Sequence, residues 1–190
     1  MESSRIARIF EETHALLTGH FLLTSGLHSQ KYLQCARVLQ WPKQAELCAN
    51  SLVRQLVGIR PDVIVSPAIG GIVIGQEVAR VMGCRAIFAE RENGVLRLRR
   101  GFEIHPGEKA LVIEDVVTTG GSTMETIEVV RSQEGIVLGA ASLVDRSGGI
   151  VDLGVPYYSL WAISIPTYRP EECPLCLAGS LPVKPGSRTL

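Results

Sequence analysis

The residues best equipped for chemistry in this 190-residue chain lie in the run Ala110-Leu-Val-Ile-Glu-Asp-Val-Val-Thr-Thr-Gly-Gly-Ser-Thr123. Four apolar residues predict a strand buried on both faces, as in a parallel sheet. Two adjacent carboxylates, Glu114 and Asp115, then stand where that strand reaches the carboxyl edge of the sheet. In open α/β sheets, ligands bind at that edge. Thr118 to Thr123 form a loop of small residues leading into a helix. Gly120 and Gly121 allow close backbone approach to a ligand. The hydroxyls and the free N–H groups of the helix start make an anion cradle. The acids suit vicinal hydroxyls or a divalent ion, and the cradle suits a phosphate. A ribose 5-phosphate presents both needs at this separation. The loop lacks the lysine of G-x-x-x-x-G-K-[ST] and does not match G-x-G-x-x-G, so neither a nucleoside-triphosphate loop nor a dinucleotide fold is indicated.

The surrounding elements must hold this segment. Apolar residues at Ile6, Ile9, Phe10, Leu16 and Leu17 predict an N-terminal helix ending near Gly19. Ser25-Gly26 is a turn pair. Pro42 opens a second helix that ends at Gly58. Strands and helices then alternate: a strand over 62–66, a loop over 67–71, a helix over 72–82 stopped by Gly83, and a strand over 85–89. Glu90 to His105 is charge-rich, with Asn93-Gly94 as a hairpin signal. A helix over 122–132 and a strand over 136–144, broken by Gly139, follow the acid pair. Tyr157 to Ile165 predicts one more strand, and the Pro-rich remainder reads as a tail packed over the domain or a partner. The pattern is α/β with a central, mostly parallel sheet flanked by helices.

Composition sets further bounds. Apolar residues make up 46% and charged residues 20%, which excludes a disordered chain. There are 19 basic and 19 acidic residues, so no bulk attraction for nucleic acid is expected. The basic side is lopsided, 15 Arg against 4 Lys. Arg suits forked binding of phosphate and carboxylate, and high-GC codon usage gives the same bias. No apolar run is long enough for a membrane span. The first residues do not resemble a secretory signal. Five cysteines, an odd count, fit a reducing cytoplasm. Cys173 and Cys176 form one C-x-x-C, but a zinc site needs about four ligands and no second C-x-x-C or H-x-x-x-H is present. They are therefore expected to be two packed thiols. His28 and His105 have no evident partner in the sequence, and His14 and His20 read as structural.

The 110–123 segment resembles the 5-phosphoribosyl-1-pyrophosphate (PRPP) motif of the type I phosphoribosyltransferases. Further matches are similar to the orotate phosphoribosyltransferases of that family. Phe21-Leu-Leu-Thr-Ser-Gly-Leu-His-Ser-Gln-Lys-Tyr32 resembles their N-terminal segment, and Ser66-Pro-Ala-Ile-Gly-Gly-Ile-Val-Ile-Gly75 their pyrophosphate loop and the helix after it. Phe88-Ala-Glu-Arg-Glu92 resembles the strand into their mobile catalytic loop, and Val144-Asp-Arg-Ser-Gly-Gly149 their V-D-R segment. The closing Pro-Gly-Ser-Arg188 is similar to shorter bacterial members.

The resemblance implies a type I phosphoribosyltransferase fold in one domain over 1–190. Its core would span approximately 42–150, with a small hood from approximately 18–40 and 150–190. It implies transfer of ribose 5-phosphate from PRPP to orotate, with magnesium carried mainly by PRPP, in a cytoplasmic homodimer that binds neither nucleic acid nor membrane. A transferase for a purine or other base, or a non-catalytic PRPP-binding regulator, stands as the alternative. By the same resemblance, Glu114 and Asp115 would hold the ribose hydroxyls, with Asp115 near the reacting carbon and a possible metal ligand. Val116, Val117, Thr118, Thr119, Gly120, Gly121, Ser122 and Thr123 would surround the 5′-phosphate. Ala68, Ile69, Gly70 and Gly71 would turn N–H groups to the pyrophosphate, where Arg91 would also act. Arg146 would fork onto the orotate carboxylate; Ser25, Gly26, Tyr32 and Thr118 would complete the base pocket. Family lysines are missing at Thr24, Gly70 and Glu92, so Arg97, Arg99 or Arg100 is expected to supply the lost charge.

Overall fold

The computed structural model describes residues 2–23 and 25–184. Thr24 and the Pro185 to Arg188 motif lie outside the described residues. Helices are α1 (Glu2–Glu12), α2 (Ala36–Leu39), α3 (Pro42–Gln55), α4 (Gly70–Met82), α5 (Gly121–Ser132) and α6 (Pro174–Leu177). Strands are β1 (Leu16–Leu22), β2 (His28–Leu33), β3 (Val63–Pro67), β4 (Arg85–Glu92), β5 (Val95–Leu98), β6 (Lys109–Val117), β7 (Ile136–Asp145), β8 (Tyr157–Ala162) and β9 (Thr167–Tyr168).

Six strands form the main sheet in the order β5-β4-β3-β6-β7-β8. All neighbours are parallel except β4 with β5. The sequence pattern of β6 explains the layering. Leu111 and Ile113 join one apolar cluster with α1, α3 and α4. Ala110 and Val112 join a second, with Ile127 and Val130 of α5. Successive side chains of a strand point to opposite faces, so a wholly apolar strand is covered on both. Each fully buried Leu, Ile or Val contributes about 1.5–3 kcal/mol, so the central strand is held by its own composition.

A second, three-stranded antiparallel sheet has the order β1-β2-β9. It joins N-terminal and C-terminal segments into the expected hood, while β8 extends the main sheet. The Ser25-Gly26 pair closes the β1–β2 turn, with Gly26 N–H donating to Leu23 O at 3.0 Å. Among the described residues no helix is long and apolar enough to cross a membrane.

Two expectations fail for local reasons. Leu16 and Leu17 are in β1, not in the first helix. The helix stops because Thr13 Oγ1 turns back to Ile9 O at 2.7 Å and His14 takes a left-handed φ of 52°. Ala15 N–H then reaches Phe10 O at 2.7 Å and His14 N–H reaches Glu11 O at 2.9 Å. That is a Schellman cap built on histidine where glycine is usual. Gly139 does not break β7 either. The strand runs through, and the register with β6 steps from Ala110–Val137 to Leu111–Gly139, a bulge that absorbs one residue.

Candidate active site

Strand β6 outruns its neighbour β3, whose pairing ends at Val112, and carries Glu114 and Asp115 beyond it. Glu114 is 7% exposed. Asp115 N–H donates to Glu114 Oε1 at 3.1 Å, and Val116 N–H donates to Asp115 Oδ1 at 2.8 Å. Among the described residues neither acid has an ion-pair partner. Burial and the neighbouring Asp115 charge push the Glu114 carboxyl up from its ordinary range. Burial raises Asp115 as well. Two adjacent carboxyls, one buried and one half-buried, cannot both ionise cheaply, so the pair holds a proton to higher pH than free carboxyls do.

Two helix starts converge on this pair. Helix α5 begins at Gly120, which has φ 80° and no side-chain cap. The first-turn N–H groups are therefore open to a ligand. A cavity of about 80 Å³ lies here, lined by Glu114, Val116, Val117 and Thr118 to Thr123. Helix α4 begins at Gly70, also without a side-chain cap. A Cβ on Gly70 would stand 2.6 Å from Asp115 Oδ1, and one on Gly71 would stand 3.3 Å from Glu114 Oε1. Gly70 is demanded by close approach of Asp115, and Gly71 first by the Ile113 carbonyl, 2.9 Å from where its Cβ would stand; neither is demanded by φ. The 67–71 loop and the 110–123 segment thus meet at one point. Ile69 projects from the loop at 85% exposure, after a cis Ala68–Ile69 peptide.

One expected donor is already engaged. Ala68 N–H bonds to Ala89 O at 2.8 Å, inside the sheet, so it cannot turn to an anion. Gly70 and Gly71 stand at the uncapped start of α4. Arg146 follows β7, with its own N–H bonded to Val117 O at 2.8 Å, which anchors it beside the acid-bearing strand. Its buried Nε has no hydrogen-bond partner. Desolvation holds the guanidinium below the usual arginine range, partly offset by Tyr32 and Cys35. No ion pair to Asp145 or Asp152 forms; those carboxylates cap their own turns at Ser147 and Gly154. Tyr32 lies in β2, its ring 5.8 Å from that of Phe21. Ser25 and Gly26 stand exposed at the hairpin tip.

The β4–β5 hairpin holds the remaining cations. Asn93 and Gly94 both have positive φ, 50° and 85°, and Glu92 faces Val95 across the turn. Arg91 binds Glu125 of α5 through both terminal nitrogens, at 2.9 and 3.1 Å, and also Gly94 O. Arg100 forks onto Glu90 at 2.7 and 2.8 Å, and Arg99 reaches Glu92 at 3.5 Å. None of Arg97, Arg99 and Arg100 lines the Glu114–Thr123 cavity. Arg97, across from Glu90, has no carboxylate partner among the described residues. Sequence reasoning had no signal for Glu125 as the partner of Arg91, because the pairing exists only once the hairpin folds against α5.

Histidine and cysteine placements also differ from expectation. His28 is not without a partner: its Nδ1 lies 3.0 Å from His20 Nε2, and Cys176 Sγ lies 3.2 Å from the same His28 nitrogen. Cys173 and Cys176 are not a lone thiol pair, since both contact His20 Nε2, at 3.5 and 3.7 Å. The two pairs are far apart in sequence, and pairing of β9 with β2 and of Val183 with β1 brings them together. The available signal was a His pair spanning the β1–β2 turn, at a spacing much longer than H-x-x-x-H.

Residues 36–164 match the phosphoribosyl transferase domain. The chain is 54% identical over 190 residues to the orotate phosphoribosyltransferase of Caldanaerobacter subterraneus subsp. tengcongensis, covering 100% of both chains. It is 53% identical over 190 residues, again 100% of both, to that of Pelotomaculum thermopropionicum. The crystal structure of orotate phosphoribosyltransferase from Aeropyrum pernix superposes with a TM-score of 0.68 at 27% identity, over 83% of this chain and 93% of that one. An acid pair set between two uncapped helix starts, in a chain so alike from end to end, places this protein among the orotate phosphoribosyltransferases.

Proposed function

We propose that this chain joins ribose 5-phosphate from PRPP to a ring nitrogen of orotate, forming orotidine 5′-monophosphate as pyrophosphate leaves, with the residues above in the following roles. The observation that carries the assignment is the meeting of Gly70 and Gly71 with Asp115 and Glu114. One α5 start, from Thr118 to Thr123, takes the 5′-phosphate. The α4 start takes the pyrophosphate. The acid pair between them accepts hydrogen bonds from the ribose hydroxyls, and Asp115 is nearest the reacting carbon. This arrangement stabilises charge and fixes position, with no covalent help from the protein.

A buried and a half-buried carboxylate, without a cation among the described residues, form a hard oxygen donor set that fits magnesium. Asp115 would hold it, together with PRPP. When bound, the ion supplies charge neutralisation of the leaving pyrophosphate. Arg146 brings a half-buried guanidinium with an unpaired Nε, which the orotate carboxylate satisfies. Tyr32 flanks the ring. Arg91 reaches the pyrophosphate after releasing Glu125, and Arg97, unpaired, is the first of the hairpin arginines available to follow.

We also place the chain in a homodimer and in the cytoplasm. Val95 and Met124 stay exposed beside an open cavity of about 570 Å³ at the sheet's β5 edge, where a second copy would cover them. None of the five cysteines is joined in a disulfide, which suits a reducing compartment. The test of the reaction is incubation with PRPP, magnesium and orotate, following the fall in orotate absorbance. Turnover with orotate and none with adenine, hypoxanthine or uracil is expected. Turnover of a purine but not orotate contradicts the reading, and binding of PRPP without turnover of any base leaves a regulator instead.

A further inference from the structure

We propose that His20, His28, Cys173 and Cys176 form a tetrahedral zinc site that staples the C-terminal segment to the β1–β2 hairpin. The four ligand atoms, one from each residue, all lie within 4.8 Å of one another. Tetrahedral zinc with bonds of about 2.0–2.1 Å to nitrogen and about 2.3 Å to sulfur requires ligand atoms about 3.3–3.8 Å apart. The observed separations are His20 Nε2 to His28 Nδ1 3.0 Å and Cys176 Sγ to His28 Nδ1 3.2 Å. Cys173 Sγ and Cys176 Sγ stand 3.5 and 3.7 Å from His20 Nε2. Small outward movements of the two rings complete the geometry.

The donor chemistry selects zinc. Two thiolates and two neutral imidazoles balance one divalent charge, so the filled site is neutral and tolerates burial. Burial is real: His20 is 7%, His28 5% and Cys173 1% exposed. One histidine is also held from behind. His20 Nδ1 lies 3.2 Å from Ser180 Oγ, placed to accept a hydrogen bond from Nδ1–H in the tautomer that leaves Nε2 free as the ligand atom.

The fold brings these residues together by design of the hairpin. Pairing of β1 with β2 steps from Thr18–Lys31 to Phe21–Ser29, so a bulge falls at Gly19 and His20. A bulge re-aims a side chain, and here it turns His20 to the side of His28. The C-terminal segment is tied to the same hairpin on either side of the cysteines. Strand β9 pairs with β2, and Val183 exchanges backbone hydrogen bonds with His20 O and Leu22 N–H at 2.8 and 2.9 Å. Those two contacts are brief, and the apolar core of the segment is small: Cys173 is its buried residue, while Leu177 and Leu181 are largely exposed. A short, loop-rich segment of this kind needs a staple. The site is separate from the acid pair and does not depend on which base the chain uses.

The test is metal content. The whole chain, purified with its thiols reduced and dialysed free of loose ions, is expected to hold about one zinc per chain by elemental mass spectrometry. Chain produced with cobalt in place of zinc is expected to show the visible bands of tetrahedral cobalt and the ultraviolet sulfur-to-cobalt band. The double variant Cys173→Ser with Cys176→Ser is expected to lose at least nine-tenths of the metal. Zinc well below one per chain, together with no sulfur-to-cobalt band in the unaltered chain, overturns the proposal. So does a double variant that is folded and retains its zinc. The cobalt spectrum is read on the unaltered chain, so a variant that fails to fold leaves the test intact.

Discussion

Gly70 is a glycine because Asp115 occupies the space of its Cβ, so Gly70→Ala must move the carboxylate, the backbone or both. We predict that this substitution lowers kcat/KM for PRPP at least tenfold while leaving the melting temperature within a few degrees, read by steady-state rates and thermal unfolding. Glu114 gives a prediction on stability. Its carboxyl is raised in the fold, so the native chain keeps a proton that the unfolded chain has lost. Stability of the ligand-free chain therefore falls as pH climbs above the ordinary carboxylate range of ~4. Glu114→Gln removes that loss. At pH 8 it should raise the melting temperature by about 3 °C, on the order of 1 kcal/mol, flatten the pH dependence of melting, and impair catalysis. An unaltered pH profile of melting in the variant contradicts a raised Glu114. Arg146 was legible from sequence as a cation after a strand. What the sequence does not contain is its unpaired Nε, which depends on burial beside Tyr32 and Cys35.

Helix α5 starts on a glycine in the left-handed region, with Val151 Cγ2 and Leu153 Cδ2 standing 2.7 and 2.8 Å from where a Cβ would be. Gly120→Ala should cost about 1–3 kcal/mol, or about 3–9 °C in melting temperature, and weaken PRPP binding at the same time. The β4–β5 hairpin behaves differently, because its ion pairs are exposed. The Arg91–Glu125 pair contributes less than about 1 kcal/mol in water, so Arg91→Ala should melt within ~3 °C of the unaltered chain. If Arg91 meets pyrophosphate, the same variant loses at least tenfold in kcat/KM for PRPP. Equal rates would confine Arg91 to the pair with Glu125. Elements bounded by glycine or proline were legible: α3 opens at Pro42, and Gly83 closes α4 with φ 74°. The end of α1 was not, because histidine fills the left-handed position and no local signal marks it. The alternation of apolar runs and helical stripes sufficed for the parallel sheet, since a strand covered on both faces can hardly be written otherwise.

Across the whole molecule, the candidate site exists because β6, flanked on its two faces by α4 and α5, carries an acid pair past β3 to where both helix starts point. The sequence made one half of that site readable, since 110–123 is contiguous. The meeting with Gly70 and Gly71 is not readable in one segment, because it arises from the pairing of β3 with β6. The hood is the least readable part: β1, β2 and β9 come from opposite ends of the chain and share few residues of apolar pattern. The most direct measurement of the central claim is calorimetric titration of PRPP with magnesium into the unaltered chain and into the double variant Glu114→Gln with Asp115→Asn. Saturable binding at one site per chain, weakened at least thirtyfold in the double variant while its melting stays cooperative, is the result expected. Equal affinity in the two proteins would mean that the acid pair does not hold the ribose and that the site has been misplaced.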